Sequence, residues 1–307
     1  MPVGESYRKQ VALVVKLVPL VAKEVVFALK GGTAINLFLR NMPRLSVDID
    51  LTYLPVKDRA SSLKEIDAAM HQIAKEIERG IRGAKVSASA RKGEKAITKL
   101  IVRADGAQIK IEVTPVLRGC VYEPTIKSVS NRVEAEYGFA EIQIVSFADL
   151  YAGKIVAALD RQHPRDLYDV RDLLRHEGID DKLRRAFIVY LISHDRPMAE
   201  VLAPRLLDIS TEYKRGFEGM VHDAVSLDEL LKARTDLIAA IVGKMPEPHK
   251  RFLVSIKRGE PDWTLVDLPD AKDLPAVRWK LENLAKLSTE KRAELLKRIE
   301  AVLGIKE

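Results

Sequence analysis

Two aspartates stand one residue apart in the stretch LSVDIDLTYL, residues 45–54. Apolar Leu45, Val47, Ile49 and Leu51 alternate there with Ser46, Asp48, Asp50 and Thr52, the period of a half-buried strand. Both carboxylates then project from one face, about 6–7 Å apart at the backbone. Such pairs hold Mg²⁺, which keeps several waters and is completed by substrate phosphates. Ser46 shares that face, either as a hydroxyl that meets a phosphate or as a plain polar strand residue. Upstream, Gly31 and Gly32 end a short apolar run, residues 24–29, and TAINLFLR follows as a helix that Thr33 could cap. A glycine turn into a helix presents backbone N–H groups and the positive end of the helix dipole, which suits a phosphate. Alone, a GG turn is usually only a turn and a DxD an exposed strand face. Joined by one short helix, they form the layout that nucleotidyl transfer requires.

Two further groups extend the pattern. In QIKIEV, residues 108–113, Ile109, Ile111 and Val113 alternate with Lys110 and Glu112. If the apolar set faces the core, Glu112 projects where a neighbouring Asp48/Asp50 strand could meet it, as a third carboxylate or as an ordinary surface glutamate. Sites with two metals about 3.5–4 Å apart need such bridging carboxylates. The second group is KIVAALDRQHPRDLYDVRDLL, residues 154–174. Lys154 and Arg161 are seven apart and share a helix face. Arg165 and Asp166 open the next helix after Pro164, with Asp169 one turn on. This basic face could neutralise a triphosphate. On spacing alone it reads equally as a solvated helix laced by ion pairs.

The elements that must position these residues fall into two zones. A helix over residues 6–22 and an amphipathic helix over 58–80 flank the glycine turn and the DxD strand. Strands follow at 84–90, 97–103, 108–113 and 141–145, with residues 118–140 irregular. From residue 146 the pattern is almost wholly helical. This predicts an α+β domain, residues 1–175, followed by a helical domain, residues 176–307. The 307 residues are 47% hydrophobic and 31% charged, enough to bury a core of that size. A net charge of +7 permits a polyanionic partner without demanding one. Arg161, Arg165, Arg171, Arg175, Arg184 and Arg185 tilt that partner toward RNA. The single cysteine, Cys120, excludes an intramolecular disulfide framework and a cysteine zinc site. No secretory signal pattern opens the chain, and the longest apolar stretch, residues 11–29, is cut by Lys16, Pro19, Lys23 and Glu24. A cytoplasmic protein with no membrane partner is expected.

The order KGGTAINLF, R, SVDIDL, then a lysine, an arginine and RDLYDV resembles the AbiEii/AbiGii nucleotidyltransferase toxin family, which includes the mycobacterial MenT toxins. The likeness in motifs spans residues 25–175. It implies a polymerase-β-like nucleotidyltransferase core with a C-terminal helical domain. Asp48 and Asp50 would be metal ligands and Gly32 and Thr33 the nucleotide-phosphate turn. Lys154 would contact the triphosphate, and Asp166 would be the acidic residue of the motif that follows. The turn here reads GGT where many nucleotidyltransferases carry GS, which keeps the hydroxyl. The resemblance further implies an NTP substrate, Mg²⁺, transfer to RNA at the tRNA 3′ acceptor end, and a cognate antitoxin in an abortive-infection setting. The competing readings are transfer to a protein or small molecule, and an inactive nucleotide-binding module.

Overall fold

The computed structural model describes residues 5–305. The chain forms two compact units, Met1–Ser146 with Gly219–Ala224, and Phe147–Glu218 with Val225–Glu307.

In the first unit, helix α1 (Glu5–Val21) buries Val11, Val14, Val15 and Val18 and keeps Pro19 within its last turn. Strand β1 (Phe27–Lys30) leads into α2, a single α turn (Gly31–Thr33) that continues as a π-helical stretch (Ala34–Leu39). Thr33 is therefore inside the helix and not its cap. Strand β2 is Ile49–Tyr53, so residues 45–48 lie outside the strand that alternation predicted. Helix α3 (Arg59–Gly80) is capped by Asp58, which accepts from the Ser61 N–H at 2.9 Å. Strands β3 (Lys85–Ala90), β4 (Ile97–Ala104) and β5 (Ala107–Val113) form a meander. Asp105 and Gly106, both at positive φ, make the tight turn between the last two.

Strand β6 (Thr125–Ser128), helix α4 (Asn131–Tyr137) and strand β7 (Glu141–Ile144) complete the unit. Two of these fall in the region read as irregular. β6 is exposed along its whole length and α4 buries only Val133, so neither carries an apolar period. The sheet order is β3-β4-β5-β2-β1-β7-β6. β2 runs antiparallel to β1 and parallel to β5. Phe27, Leu29, Ile49, Leu51, Tyr53, Ile109, Ile111 and Val113 fill one face of its centre, and α1 and α3 pack on the sheet. The opposite face of β1, β2 and β5 is left for polar side chains.

The second unit is helical: α5 (Phe147–Asp160), α6 (Pro164–His176), α7 (Asp181–Ile192), α8 (Met198–Leu202), α9 (Ser210–Gly216), α10 (Leu227–Ile238), α11 (Glu247–Arg258), α12 (Pro275–Ala285) and α13 (Thr289–Leu303). α5 packs against α6 and α7, and α6 against α10. The division therefore falls after Ser146 and not after residue 175. The apolar residues of α5 and α6 are spent on other helices. No helix among the described residues is long and apolar enough to cross a membrane.

Candidate active site

The polar face of the central sheet carries a row set by strand register. Lys30 on β1 pairs with Asp50 on β2, and Asp50 with Glu112 on β5. Asp48 lies just before β2 and is half exposed. The ammonium of Lys110 stands among these carboxylates, 2.9 Å from Glu112 Oε2 and 3.8 Å from Asp48 Oδ2. Asp48, Asp50 and Glu112 are thus gathered around one cation. Burial opposes the Lys110 charge, but the Glu112 hydrogen bond and the charges of Asp48, Asp50 and Glu112 outweigh it and raise its pKa. Asp50 titrates above the usual aspartate range because it is buried and because Asp48 and Glu112 repel it. Lys30 is pulled down by burial, although Asp50, Cys120 and Glu112 favour its charge. Its ammonium donates to Thr114 Oγ1 at 3.2 Å.

The glycine turn abuts this row. Gly31 has φ of +77°, and a Cβ there would lie 2.7 Å from Asp50 Oδ2. A Cβ on Gly32 would lie 2.6 Å from Ser46 Oγ and 2.8 Å from an Arg44 nitrogen. Gly31 is required by its left-handed backbone and by Asp50, and a side chain at Gly32 would have to displace the Ser46 hydroxyl and the end of Arg44. As the first residues of α2, they have N–H groups with no acceptor within the helix. The Thr33 hydroxyl is buried and committed. It donates to the Asp48 carbonyl and lies 3.2 Å from Ser46 Oγ. It holds residues 46–48 against the turn. Ser46 is placed by these contacts and by its N–H donating to Tyr7 Oη at 2.9 Å, not by strand pairing.

Arg44, Tyr7, Lys30 and Lys110 escaped the sequence reading. Lys110 carried a signal, since it is two residues from Glu112 on one alternating strand. Arg44 also keeps the two-residue spacing of Ser46, Asp48 and Asp50, yet it is buried, and its side chain donates to the Leu45 carbonyl at 2.8 Å. Among the described residues no three acidic, histidine or cysteine side chains already converge as a metal site. The donor chemistry nevertheless fits a hard divalent cation, because a positive charge already sits among three carboxylates.

Lys154, Asp166, Asp169 and Arg161 form a separate cluster within the second unit. Lys154 is buried and donates to Asp166 Oδ1 at 2.8 Å and lies 3.0 Å from Asp169 Oδ2. Arg161 adds a two-pronged contact to Asp166. Burial would raise the Asp166 pKa, but Lys154 and Arg161 hold it well below the usual carboxylate range. The basic face expected here is instead charge-paired: Lys154, Asp166 and Asp169 are buried together, and Arg161 reaches Asp166 from an exposed position. Arg165 is exposed, and its N–H donates to the His163 ring that caps α6. Arg171 and Arg175 share Glu229, Arg184 donates to the carbonyls of Ala240 and Ile241, and Arg185 pairs with Asp181 and Asp267. These four arginines therefore brace helices, which weakens the compositional case for an RNA surface along them.

Residues 13–283 match the family described as nucleotidyl transferase AbiEii toxin, type IV TA system. Among solved structures the chain is similar to MenT4, a nucleotidyltransferase toxin from Mycobacterium tuberculosis H37Rv. The TM-score is 0.60 at 18% identity, over 92% of this chain and 94% of that one, a likeness of fold. No curated protein sequence matches the chain.

Proposed function

The chain belongs to the AbiEii family of nucleotidyltransferase toxins, and from that premise we propose that it transfers a nucleotide from an NTP to RNA, at the 3′ acceptor end of tRNA, with Mg²⁺ as its metal. Translation in the cytoplasm is what this transfer would block, and the cognate antitoxin would restrain it. The supporting observation is the gathering of Asp48, Asp50 and Glu112 around the Lys110 ammonium, beside a glycine turn that Asp50, Ser46 and Arg44 crowd closely.

Asp48, Asp50 and Glu112 are the residues that would hold Mg²⁺, which when bound supplies charge neutralisation of the triphosphate and a lowered pKa for the attacking hydroxyl. Lys110 occupies that space now and must turn aside, where its ammonium can follow the phosphate charge. The Gly31–Gly32 turn receives phosphate oxygens on its N–H groups. Glu112 is placed to accept the proton of the RNA hydroxyl as that oxygen attacks the α-phosphorus. The bond to the β-phosphate oxygen breaks and pyrophosphate leaves with its electron pair. Most of the rate then comes from positioning and fixed charge. We assign Ser46 to the rim of the turn, while Lys154, which the family resemblance implies at the triphosphate, pairs with Asp166 inside the second unit, as does Arg161.

Incubation with each α-labelled NTP and total RNA, with Mg²⁺ or with EDTA, tests the reading. Label on RNA that requires Mg²⁺ is the expected outcome. Label on protein or a metabolite, or no transfer with any NTP, would sink it.

A further inference from the structure

In the second unit, α11, α12 and α13 and the segment after α7 enclose a pocket of about 550 Å³. Its floor is Lys257, in the last turn of α11 and only 3% exposed. Among the described residues no hydrogen bond or ion pair satisfies its ammonium. A buried charge without a partner is costly, and burial, with Lys280 nearby, pulls its pKa down to about 8. Lys280 also lines the pocket. It donates to the His194 carbonyl at 2.7 Å, and Asp195 is the charge that favours it. Counting Lys257, Lys280 and Asp195, the pocket carries a net positive charge, and Lys257 is the group left without an anion.

The walls add shape. Leu284 and Leu295 supply an apolar side, Asn283 an amide with donors and an acceptor, and Trp279 an indole that is 53% exposed. We propose that this pocket binds a nucleoside phosphate, with the phosphate on Lys257 and Lys280 and the base on Trp279. A phosphate has enough oxygens to meet both ammoniums at once. An exposed indole offers a face on which any base stacks. An aliphatic carboxylate would use the leucines but leave the indole and the amide idle. Two sources carry this chemistry, a free nucleotide and the 5′ end of an RNA strand. The pocket lies in a different unit from the carboxylate row and does not depend on the reading given to that row.

The chain has two tryptophans, so Trp263→Phe leaves Trp279 as the sole indole reporter. Titrating that protein with adenosine 5′-monophosphate should quench its fluorescence saturably. Adenosine alone should bind at least about tenfold more weakly, the worth of one charge-assisted contact, and inorganic phosphate alone at least about tenfold more weakly for want of the stacked base. Lys257→Met should weaken binding by at least about tenfold while raising the melting temperature, which shows that the fold is intact. Asp50→Asn should leave the quench in place, since the signal belongs to this pocket. Displacement by a 5′-phosphorylated RNA octamer would assign the site to strand ends, and retention of the mononucleotide would assign it to free nucleotide. Equal binding of adenosine and its monophosphate, indifference to Lys257→Met, or decanoate binding where the nucleotide does not, would overturn the proposal.

Discussion

The surroundings of Asp50 disfavour its ionisation. Burial, Asp48 and Glu112 raise its pKa against the pull of Lys110 and Lys30, so ionisation costs folding energy as pH rises through that range. Asp50→Asn should therefore melt no lower than the parent at pH 7 in EDTA, while transfer is abolished. A lower melting temperature would mean that the carboxylate is a structural group. Lys110 makes the converse case. Lys110→Met removes the cation shared by Asp48 and Glu112, so the metal-free protein should melt lower. Mg²⁺ should raise the variant's melting temperature more than the parent's, and equal shifts would argue against metal binding by these carboxylates. That Asp50 and Glu112 share a row was legible because alternating strands declare which side chains share a face, whereas Asp48 lies before β2, where its carbonyl accepts from Thr33. Arg44 and Tyr7 were not legible, because what places them is far off in sequence: the bridge of Arg44 to Val221 and the Tyr7 hydroxyl that meets the Ser46 N–H.

The glycine turn and the Lys154 cluster belong to the scale of elements. Gly31→Ala forces a side chain into a left-handed backbone and onto Asp50. A loss of about 1–2 kcal/mol from the backbone alone is expected, read from urea midpoints, with transfer falling further because Asp50 moves. Full activity at parental stability would contradict the close approach. In the second unit, Asp166→Asn leaves Lys154 and Arg161 facing each other with one carboxylate fewer. Breaking such a buried pair costs about 3–5 kcal/mol, so lost transfer in this variant must be judged beside its melting curve. Strands β2, β4 and β5 and helices α1, α3 and α5–α7 were readable from period and caps. β6 and α4 were not, since an exposed edge strand and a two-turn helix bury too little to print a pattern.

At the scale of the whole molecule, depressed carboxylates outweigh raised ones. Asp166 is held low by Lys154 and Arg161 against the pull of burial, and Glu229 is held at about 2 by the Ser226 N–H and by Arg175 and Arg171. Groups depressed in the fold contribute stability above their unfolded pKa and lose it as pH falls through the folded value. Melting temperature should begin to fall below about pH 6.5, where His222 and His249, both lowered by burial, resist protonation in the fold, and fall more steeply below about pH 4.5. Asp50 and Glu24, both raised, offset only part of that fall. A melting temperature that rises on acidification would show that the raised groups dominate. The division into an α+β and a helical unit was legible from the change of period near residue 146. The true boundary was not, because helices α5 and α6 look alike whichever core they join.

Residues 219–224 return to the first unit after the chain has left it. There Val221 bridges Arg44, Met220 accepts from the Leu45 N–H at 2.8 Å, and the His222 N–H donates to the Pro43 carbonyl at 3.0 Å. The stretch they clasp runs straight into Ser46 and the two aspartates. During synthesis from the N-terminus, both aspartates, Glu112 and all seven strands leave the ribosome well before this clasp exists. A nascent chain thus carries the carboxylate row without the strap that clasps Pro43, Arg44 and Leu45. Ribosome-bound chains halted before residue 219 should therefore show no transfer where the released protein does.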